Sequence, residues 1–236
     1  MKLSIIIPAF NEEKTIVQVL EKVLKLELSD VRKEIIVIDD GSTDKTVEKI
    51  QKKKYKNIVL IQHGKNQGKG VAVITGMMRA TGDYIIIQDA DLEYNPKDIN
   101  ELLKPIRLND QAVVYGTRLK RMPNFSRDER TMRFFIHYVG NKFLSLVTSI
   151  LYGQWVTDME TGYKLFPKSF VSNMKIHAKS FDFEPEITAK FLKNGYKIVE
   201  IPINTNPRGY DDGKKLNAFK DGPIALWTLI KYRFID

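Results

Sequence analysis

The amino-acid sequence predicts an α/β fold built on a mostly parallel sheet with helices on both faces. Short runs of β-branched and other apolar residues alternate with helical patterns through the first half of the chain, which is typical of βαβ units. The predicted strands are nearly continuous apolar runs, as at residues 5–7 and 35–38, and such runs indicate strands covered on both faces. The 236 residues, 43% hydrophobic and 28% charged, favour a folded globular protein over a disordered chain.

The predicted elements follow in chain order. Apolar runs predict strands at 3–8, 34–39, 57–62, 84–89 and 112–115, and the patterns between them predict helices at 12–25, 44–54, 69–80 and 96–108. After Gly116 we predict helices at 130–151 and 184–193, a strand at 197–203, a polar segment at 204–221 and a helix at 223–235. No repeat or low-complexity linker divides the chain, so we expect one domain over 1–236, with halves at 1–116 and 117–221 and a C-terminal amphipathic helix at 222–236.

Composition excludes several kinds of site. The chain has no cysteine, so disulfides, thiolate catalysis and cysteine-bound zinc are excluded. Its histidines, His63, His137 and His177, are far apart and lack metal-ligand spacing. No signal peptide is recognisable and no apolar stretch has the length of a membrane span, so we expect a cytoplasmic protein.

The charge distribution suggests an anionic ligand. Lys and Arg total 38 against 29 Asp and Glu, a formal net charge of +9. Much of the surplus lies between Lys104 and Lys142, where nine basic residues accompany three acidic ones. A basic zone of this kind suits the phosphates of a nucleotide, a nucleic acid or an anionic lipid, although a solvated surface gives the same pattern.

Acidic residues follow the predicted strands where an open α/β sheet binds its ligands, at the carboxyl ends. Asp89, Asp91 and Glu93 form the sharpest group. In an extended chain, alternate residues face one way, and three carboxylates on one side would repel each other without a cation. Oxygen ligands alone indicate Mg²⁺ or Mn²⁺, while the alternative is that these residues cap the helix predicted from residue 96.

Two further loops carry candidate ligands. Residues 40–44 are interpreted as a tight turn that opens a helix. The structural interpretation is that Ser42 or Thr43 caps this helix, and the functional one is that Asp39 and Asp40 accept from a base N–H or a ribose hydroxyl. Residues 64–70 have the glycines of a phosphate-binding loop, but the spacing is one residue short and Gly70 replaces the required Ser or Thr. We therefore exclude an ATPase, and no Gly-x-Gly-x-x-Gly follows a strand to indicate a dinucleotide.

Taken together, these motifs resemble family 2 glycosyltransferases with the GT-A fold, and more narrowly the dolichol-phosphate mannose synthase branch of the polyprenyl-phosphate glycosyltransferases. The similarity covers nearly the whole chain and is marked by residues 7–12, 37–44, 66–70, 82–83, 89–92, 116–118 and 157–164. It implies a Rossmann-like GT-A fold and inverting, metal-dependent transfer of a hexose from GDP-mannose or UDP-glucose to a dolichyl or undecaprenyl phosphate. A UDP-amino sugar donor stays open.

The resemblance also implies roles for individual residues. Those implied to bind the nucleotide sugar are Pro8, Phe10, Glu12, Asp39, Asp40, Lys69, Asp89, Ala90 and Asp91, and those implied to bind Mg²⁺ or Mn²⁺ are Asp89, Asp91 and Glu93. Arg118, Arg133, Arg208 and Lys215 are implied to contact the acceptor phosphate, and the implied catalytic set is Asp91, Arg118, Arg133 and Asp158. Residues 1–116 would form the nucleotide-sugar half and 117–221 the acceptor half.

The acceptor can be argued from chemistry. A phosphate monoester is already anionic at neutral pH, so it needs cations but no general base, whereas a sugar hydroxyl needs a carboxylate base. Processive polysaccharide synthases carry a Gln-x-x-Arg-Trp motif, but here Trp155 follows Gln154 directly. One alternative is a glycosyltransferase with a non-lipid acceptor. A second is a nucleic-acid-binding module, which the carboxylates at the strand ends disfavour. A third is a nucleotidyltransferase, which would need a glycine-rich loop after the first strand.

A lipid acceptor requires contact with a membrane. Residues 134–151 and 223–235 combine apolar faces with aromatic and basic residues, so each is predicted either to lie at the membrane surface or to pack on the core. We expect peripheral association with the cytoplasmic face through these helices, or recruitment by a separate membrane protein.

Overall fold

The computed structural model describes residues 1–118, 132–172, 174–206 and 218–235. Its strands are β1 (Lys2–Ala9), β2 (Arg32–Asp39), β3 (Ile58–Gln62), β4 (Tyr84–Ile87), β5 (Val113–Thr117), β6 (Lys164–Pro167) and β7 (Ile198–Pro202). Its helices are α1 (Ile16–Lys25), α2 (Thr46–Lys52), α3 (Lys69–Arg79), α4 (Ile99–Leu108), α5 (Met132–Tyr152), α6 (Lys168–Ser172), α7 (Phe183–Lys193) and α8 (Ala218–Phe234), with a 3₁₀ turn at Pro96–Asp98 before α4.

One seven-stranded sheet has the order β3-β2-β1-β4-β6-β5-β7. The pairs β1–β2, β2–β3, β1–β4 and β5–β7 are parallel, whereas β6 runs antiparallel to both β4 and β5. The chain moves outward from β1 to β2 and β3 and then returns to the other side of β1 with β4. This reversal creates a switch point between β1 and β4, and open α/β sheets bind ligands at the carboxyl ends beside such a point.

Both faces of the sheet are covered, which confirms the interpretation of the apolar runs. Ile5 and Ile7 of β1 join an apolar cluster that includes α1 and α4, whereas Ile6 joins a second cluster with α3 and α7. Alternate side chains of a strand point to opposite faces, and here both sets are fully buried. The predicted α/β fold with a mostly parallel sheet is therefore confirmed.

The sequence misses two elements and misplaces some ends. Strand β6 and the short helix α6 lie within residues 164–172, where no element is predicted, because four residues between turns carry too little periodicity to be recognised. Strand β4 ends at Ile87 rather than at residue 89. Helix α1 begins at Ile16 rather than at residue 12, because Asn11 has a φ of +54° and the Glu13 amide in the following turn donates to Asp44 in the loop after β2.

The two predicted surface helices are present and amphipathic. On α8, Leu229 is fully buried while Trp227 is 62% exposed. On α5, Leu144 is buried while Phe143 is 53% exposed. The helices are joined by a hydrogen bond from the Tyr152 hydroxyl to the Leu229 carbonyl at 2.8 Å. Within the described ranges, no helix is both long and apolar enough to cross a bilayer.

Candidate active site

The loops after β1 and β2 hold each other at the carboxyl edge of the sheet. The Asn11 side-chain oxygen accepts from the Thr43 amide at 2.8 Å, and the Asn11 amide donates to the Ser42 hydroxyl at 2.9 Å. The predicted cap by Ser42 or Thr43 is wrong, because Asp44 instead accepts from the amide of Thr46, the first residue of α2, at 2.9 Å. Ser42 and Thr43 bind the neighbouring loop rather than the helix.

Three predicted nucleotide ligands line this edge. Pro8 lies in β1, and Phe10 and Glu12 follow it in the fixed loop; all three are half-buried. The Glu12 carboxylate accepts from the Thr15 hydroxyl at 2.8 Å, and its amide donates to the Thr46 hydroxyl at 2.8 Å. The structure thus places these residues together in a held conformation, and their contact with a nucleotide stays a prediction.

Asp39 and Asp40 are neighbours with different surroundings. The Asp40 carboxylate accepts from the amides of Gln67 and Gly68 at 3.0 and 2.8 Å, and it lies 2.7 Å from His63 Nδ1. Its described contacts are thus with the protein's own loop before α3. Asp39 is also buried, but its Oδ1 has no hydrogen-bond partner among the described residues, while its Oδ2 accepts from the Ser42 amide at 3.2 Å. Asp39 therefore keeps an oxygen for a ligand.

The loop before α3 delivers Lys69 to the same edge. Gly68 has a φ of +100°, and a Cβ there would lie 2.2 Å from the Lys179 carbonyl oxygen, so only glycine fits. Lys69 is the first residue of α3. Its Nζ lies 3.0 Å from Asp89 Oδ1 and 3.0 Å from Glu184 Oε1. Burial would lower the pKa of Lys69, but the two carboxylates outweigh it and hold that pKa well above its usual value.

The acidic segment after β4 is not extended, so the geometric argument for the trio is wrong. The strand has ended at Ile87, and Leu92 has a φ of +65°, which turns the chain between Asp91 and Glu93. Asp91 Oδ1 accepts from the Glu93 amide at 3.0 Å. In the part of the chain that the structure describes, no three His, Cys, Asp or Glu side chains form a metal-binding group. The buried Ala90 packs in the core between Asp89 and Asp91.

The segment before β6 closes against Asp89. A Cβ on Gly162 would lie 2.4 Å from Asp89 Oδ2, so the backbone at Gly162 approaches that carboxylate too closely for a side chain. The Gly162 amide donates to the Tyr94 hydroxyl at 2.9 Å, and the rings of Tyr94 and Tyr163 stack with centroids 4.5 Å apart. These contacts join the Asp89 loop to the segment that carries Asp158.

Arg118 and Asp158 form a buried ion pair. Asp158 is fully buried, and its two oxygens accept from Arg118 Nε and Nη2, each at 2.8 Å. The Arg118 amide and Asn141 Nδ2 also donate to it, at 2.8 and 3.0 Å. Burial would raise the pKa of Asp158, but Arg118 outweighs it and the pKa lies below the usual value. The Arg118 side chain is 26% exposed, so part of this side chain reaches the surface.

Some predicted residues lie outside the description. Arg208 and Lys215 are not among the described residues, and neither is the side chain of Arg133. Their predicted contacts with the acceptor phosphate stay predictions.

Sequence reasoning misses Glu160, Lys164 and Glu184, which are brought near one another at the site. Lys164 is fully buried and donates to the carbonyl of Met159 at 2.9 Å. Burial lowers the pKa of Lys164, while burial and the charge of Glu184 raise the pKa of Glu160. Glu184 lies in the first turn of α7, where an acidic residue ordinarily indicates only a favourable helix dipole. The ion pair between Glu184 and Lys69, which only the structure shows, identifies Glu184 as part of the candidate site.

Comparisons with known proteins agree on one family. The model for glycosyl transferase family 2 matches residues 4–173. A UDP-N-acetylglucosamine–dolichyl-phosphate N-acetylglucosaminyltransferase from Methanococcus voltae is 33% identical over 91% of this chain and 89% of its own. A dolichyl-phosphate beta-glucosyltransferase from Trichomonas vaginalis is 32% identical over 97% of this chain and 72% of its own.

A solved structure agrees on the fold. The crystal structure of glucosyl-3-phosphoglycerate synthase from Mycobacterium tuberculosis, in complex with Mn²⁺, UDP and phosphoglyceric acid, superposes with a TM-score of 0.73. The match covers 100% of this chain and 79% of that one at 18% identity. Identity this low supports the GT-A fold alone.

Proposed function

The chain belongs to glycosyl transferase family 2, and from this we propose that it transfers a sugar, with inversion and with a divalent metal, from a nucleoside-diphosphate sugar to a polyprenyl phosphate. The observation that carries the acceptor is that two relatives, 33% and 32% identical over 91% and 97% of this chain, are both named for transfer to dolichyl phosphate. GDP-mannose, UDP-glucose and UDP-N-acetylglucosamine are the donors to test.

The nucleoside binds between the loops after β1 and β2. Pro8, Phe10 and Glu12 lie on the β1 side, and from the β2 side Asp39 contributes Oδ1, which has no hydrogen-bond partner among the described residues. A buried carboxylate oxygen without a donor is unfavourable, and a base N–H or a ribose hydroxyl would satisfy it. The support for this assignment is that Asp39 Oδ1 lacks a partner within the described residues and lies at the carboxyl edge of the sheet, where β2 pairs with β1.

The residues after β4 fit a metal that arrives with the donor. Mg²⁺ is usually bound by one or two carboxylates together with substrate phosphates rather than by a complete protein cage. Asp91 and Glu93 supply such oxygens, and Asp89 supplies another while paired with Lys69. These residues would hold a divalent ion, which would supply positive charge for the departing diphosphate.

The acceptor phosphate approaches from the side of Arg118. The guanidinium is fixed by two bonds to Asp158, and the side chain that carries it is partly exposed, so it is held ready to orient an anionic phosphate. The phosphate oxygen attacks the anomeric carbon, the bond from that carbon to the diphosphate breaks, and no proton has to be removed from the nucleophile. Arg133, Arg208 and Lys215 are proposed to add further positive charge.

Activity with defined substrates tests the proposal. Purified protein is assayed with each of the three donors, with Mg²⁺ or Mn²⁺, in the presence or absence of a short-chain polyprenyl phosphate. We expect lipid-linked sugar with one donor and loss of product with EDTA. Transfer to a saccharide in the absence of lipid would favour the non-lipid acceptor, and no product under any condition would refute the proposal.

The metal assignment has its own test. Asp91→Asn is expected to abolish turnover while leaving the unfolding midpoint within the range of the wild type, because it removes a charge from a half-buried loop. Asp83→Asn is the matched control, since Asp83 lies just before the amino end of β4 and accepts from the Lys2 amide there. Full activity of Asp91→Asn would contradict the assignment.

Membrane contact is assigned to α5 and α8. Along α5, Phe135, Val139, Phe143, Leu146 and Ile150 recur at helical spacing and are 45–73% exposed. On α8, Ile224, Trp227 and Phe234 are 44–75% exposed. Exposed apolar residues beside cations favour an anionic bilayer surface, and both helices carry cations, Lys142 on α5 and Lys231 and Arg233 on α8.

Flotation with vesicles tests the membrane contact. Wild-type protein is mixed with phosphatidylcholine vesicles that contain or lack phosphatidylserine, and we expect flotation with the anionic vesicles. Replacing Phe143 and Trp227 by Ser should abolish it, whereas Met78→Ser should not, because Met78 is even more exposed, at 78%, but lies on α3. If the wild type stays with the unbound fraction, a separate membrane protein is needed for recruitment.

A further inference from the structure

One ammonium group lies between two carboxylates at the proposed donor site. Lys69 Nζ is 3.0 Å from Asp89, which follows β4, and 3.0 Å from Glu184, in the first turn of α7. The side chains of Asp89 and Glu184 are 17% and 7% exposed. Lys69 thus connects the loop proposed to meet the diphosphate with helix α7, which is buried from Phe183 to Phe191.

The second carboxylate is not needed to neutralise Lys69. A pair of Lys69 and Asp89 would be neutral, whereas Glu184 adds a further buried negative charge, and burying a charge is unfavourable unless it is fully paired. Its Oε2 is buried and has no hydrogen-bond partner among the described residues. The other buried lysine here, Lys164, is close enough for the charge of Glu184 to favour its protonated form, but it gives its hydrogen bonds to the carbonyls of Met159 and Thr161. The described contacts of Glu184 are therefore directed at Lys69 rather than at Lys164.

The loop that precedes Lys69 holds the backbone of this residue in place. Asp40 holds the amides of Gln67 and Gly68, and the Gly68 backbone lies against Lys179 with no room for a side chain. The backbone of Lys69 is therefore held in place. The position of its ammonium group depends on the balance of attraction from the carboxylates of Asp89 and Glu184. Without the charge of Glu184, the ammonium would be drawn fully onto Asp89.

We propose that Glu184 is a positioning residue for the donor site, which acts through Lys69 to leave Asp89 with part of its negative charge for the metal and diphosphate. This inference rests on the proposed function, because it takes Asp89 to be at the diphosphate. Glu184 needs no contact with the substrate.

Kinetics of Glu184→Gln test the proposal. Its kcat/KM for the donor should fall about 10- to 100-fold, the usual effect of losing a partner that orients a ligand, while the KM for the lipid acceptor stays unchanged. Glu186→Gln is the matched control, since Glu186 is buried on the same helix and pairs with Lys190 at 2.8 Å. It should alter the unfolding midpoint but not the kinetics.

A double mutant shows whether the effect passes through Lys69. Adding Glu184→Gln to Lys69→Met should produce no further fall in kcat/KM, and additive effects would overturn the proposal. Equal kcat/KM for Glu184→Gln and the wild type would also overturn it, as would equal losses in Glu184→Gln and Glu186→Gln. If Glu184→Gln does not fold, Glu184→Asp replaces it, and wild-type kcat/KM for that variant overturns the proposal.

The controls separate the two proposals. If the wild type is active and Glu184→Gln equals it, only the role of Glu184 fails. If the wild type transfers no sugar from any donor, the proposed function fails and the role of Glu184 fails with it.

Discussion

Asp158→Asn should expose how much the site depends on one buried ion pair. Each oxygen of Asp158 accepts from two donors: Oδ2 from the Arg118 amide and Nε, and Oδ1 from Arg118 Nη2 and Asn141 Nδ2. Asparagine has nearly the same shape but replaces one oxygen by an NH₂ group. Whichever way the amide is turned, that NH₂ points at two donors, and Arg118 loses its counter-charge.

The magnitude follows from the burial. Removing one member of a buried ion pair costs about 3–5 kcal/mol. Asp158 is fully buried but the Arg118 side chain is 26% exposed, so this side chain has access to water at the surface and the lower end, about 3 kcal/mol, is expected. Turnover should fall as well, because the guanidinium proposed to orient the acceptor is no longer fixed.

Urea unfolding at several pH values provides the assay. The pKa of Asp158 is lowered in the folded protein, so its stabilising contribution is complete above the unfolded pKa of about 3.9 and is lost as the pH falls through the lower folded value. The difference between wild type and variant should therefore be constant near pH 7 and shrink below about pH 4. Asp30→Asn, at an exposed turn with a φ of +59°, is the control and should change stability by less than about 0.5 kcal/mol.

Equal stability of Asp158→Asn and the wild type at pH 7 would refute this reasoning. A difference that persists unchanged to pH 2 would also refute it, because the contribution would then not depend on the carboxylate charge.

Two further substitutions test the loops and the amino edge of the sheet. Gly68→Ala should lower the unfolding free energy by about 2 kcal/mol in urea titrations, because of its positive φ and the Lys179 carbonyl; Gly64→Ala, with nothing within 4 Å, should be neutral, and equal effects would contradict the argument. Burial opposes ionisation of Glu34, but bonds from Lys2, Ser4 and Thr81 lower its pKa to about 2. Glu34→Gln should cost about 1–2 kcal/mol at pH 7, after allowance for solvent screening. This loss of stability should vanish as the pH falls from about 4.5 to about 2, because Glu34 becomes protonated over this range. A loss of stability that does not depend on pH would contradict this role of the Glu34 charge.

The strands and helices of the first half were predictable because their signals are local. A strand covered on both faces must be apolar throughout, and residues 35–38 show this in the sequence. The four residues of β6 have no such signal, since their place between β4 and β5 depends on a chain that returns from far away. The turn at Leu92 was equally hidden, because a leucine seldom adopts a positive φ, and the argument from alternation in an extended chain failed there.

The candidate site was predictable as a set of residues but not as an arrangement. The motifs singled out Lys69, Asp89, Arg118 and Asp158, and the structure joins them in two ion-paired groups. Asp40 is predicted to bind the nucleotide, which stays a prediction, and the structure adds that its carboxylate accepts from amides of the loop before α3. Glu184 was not singled out, because an acidic residue in the first turn of a helix has an ordinary explanation.

The sequence by itself determined the fold class, the carboxyl-edge position of the acidic loops and the family, because apolar periodicity and motif spacing are properties of short segments. Only the tertiary structure decided which charges meet, so that Lys69 is shared by Asp89 and Glu184 while Arg118 is bound by Asp158. The physical reason is that ion pairs form over a few ångströms between residues far apart in the chain. Sheet order and loop closure set those distances, and no local pattern encodes them.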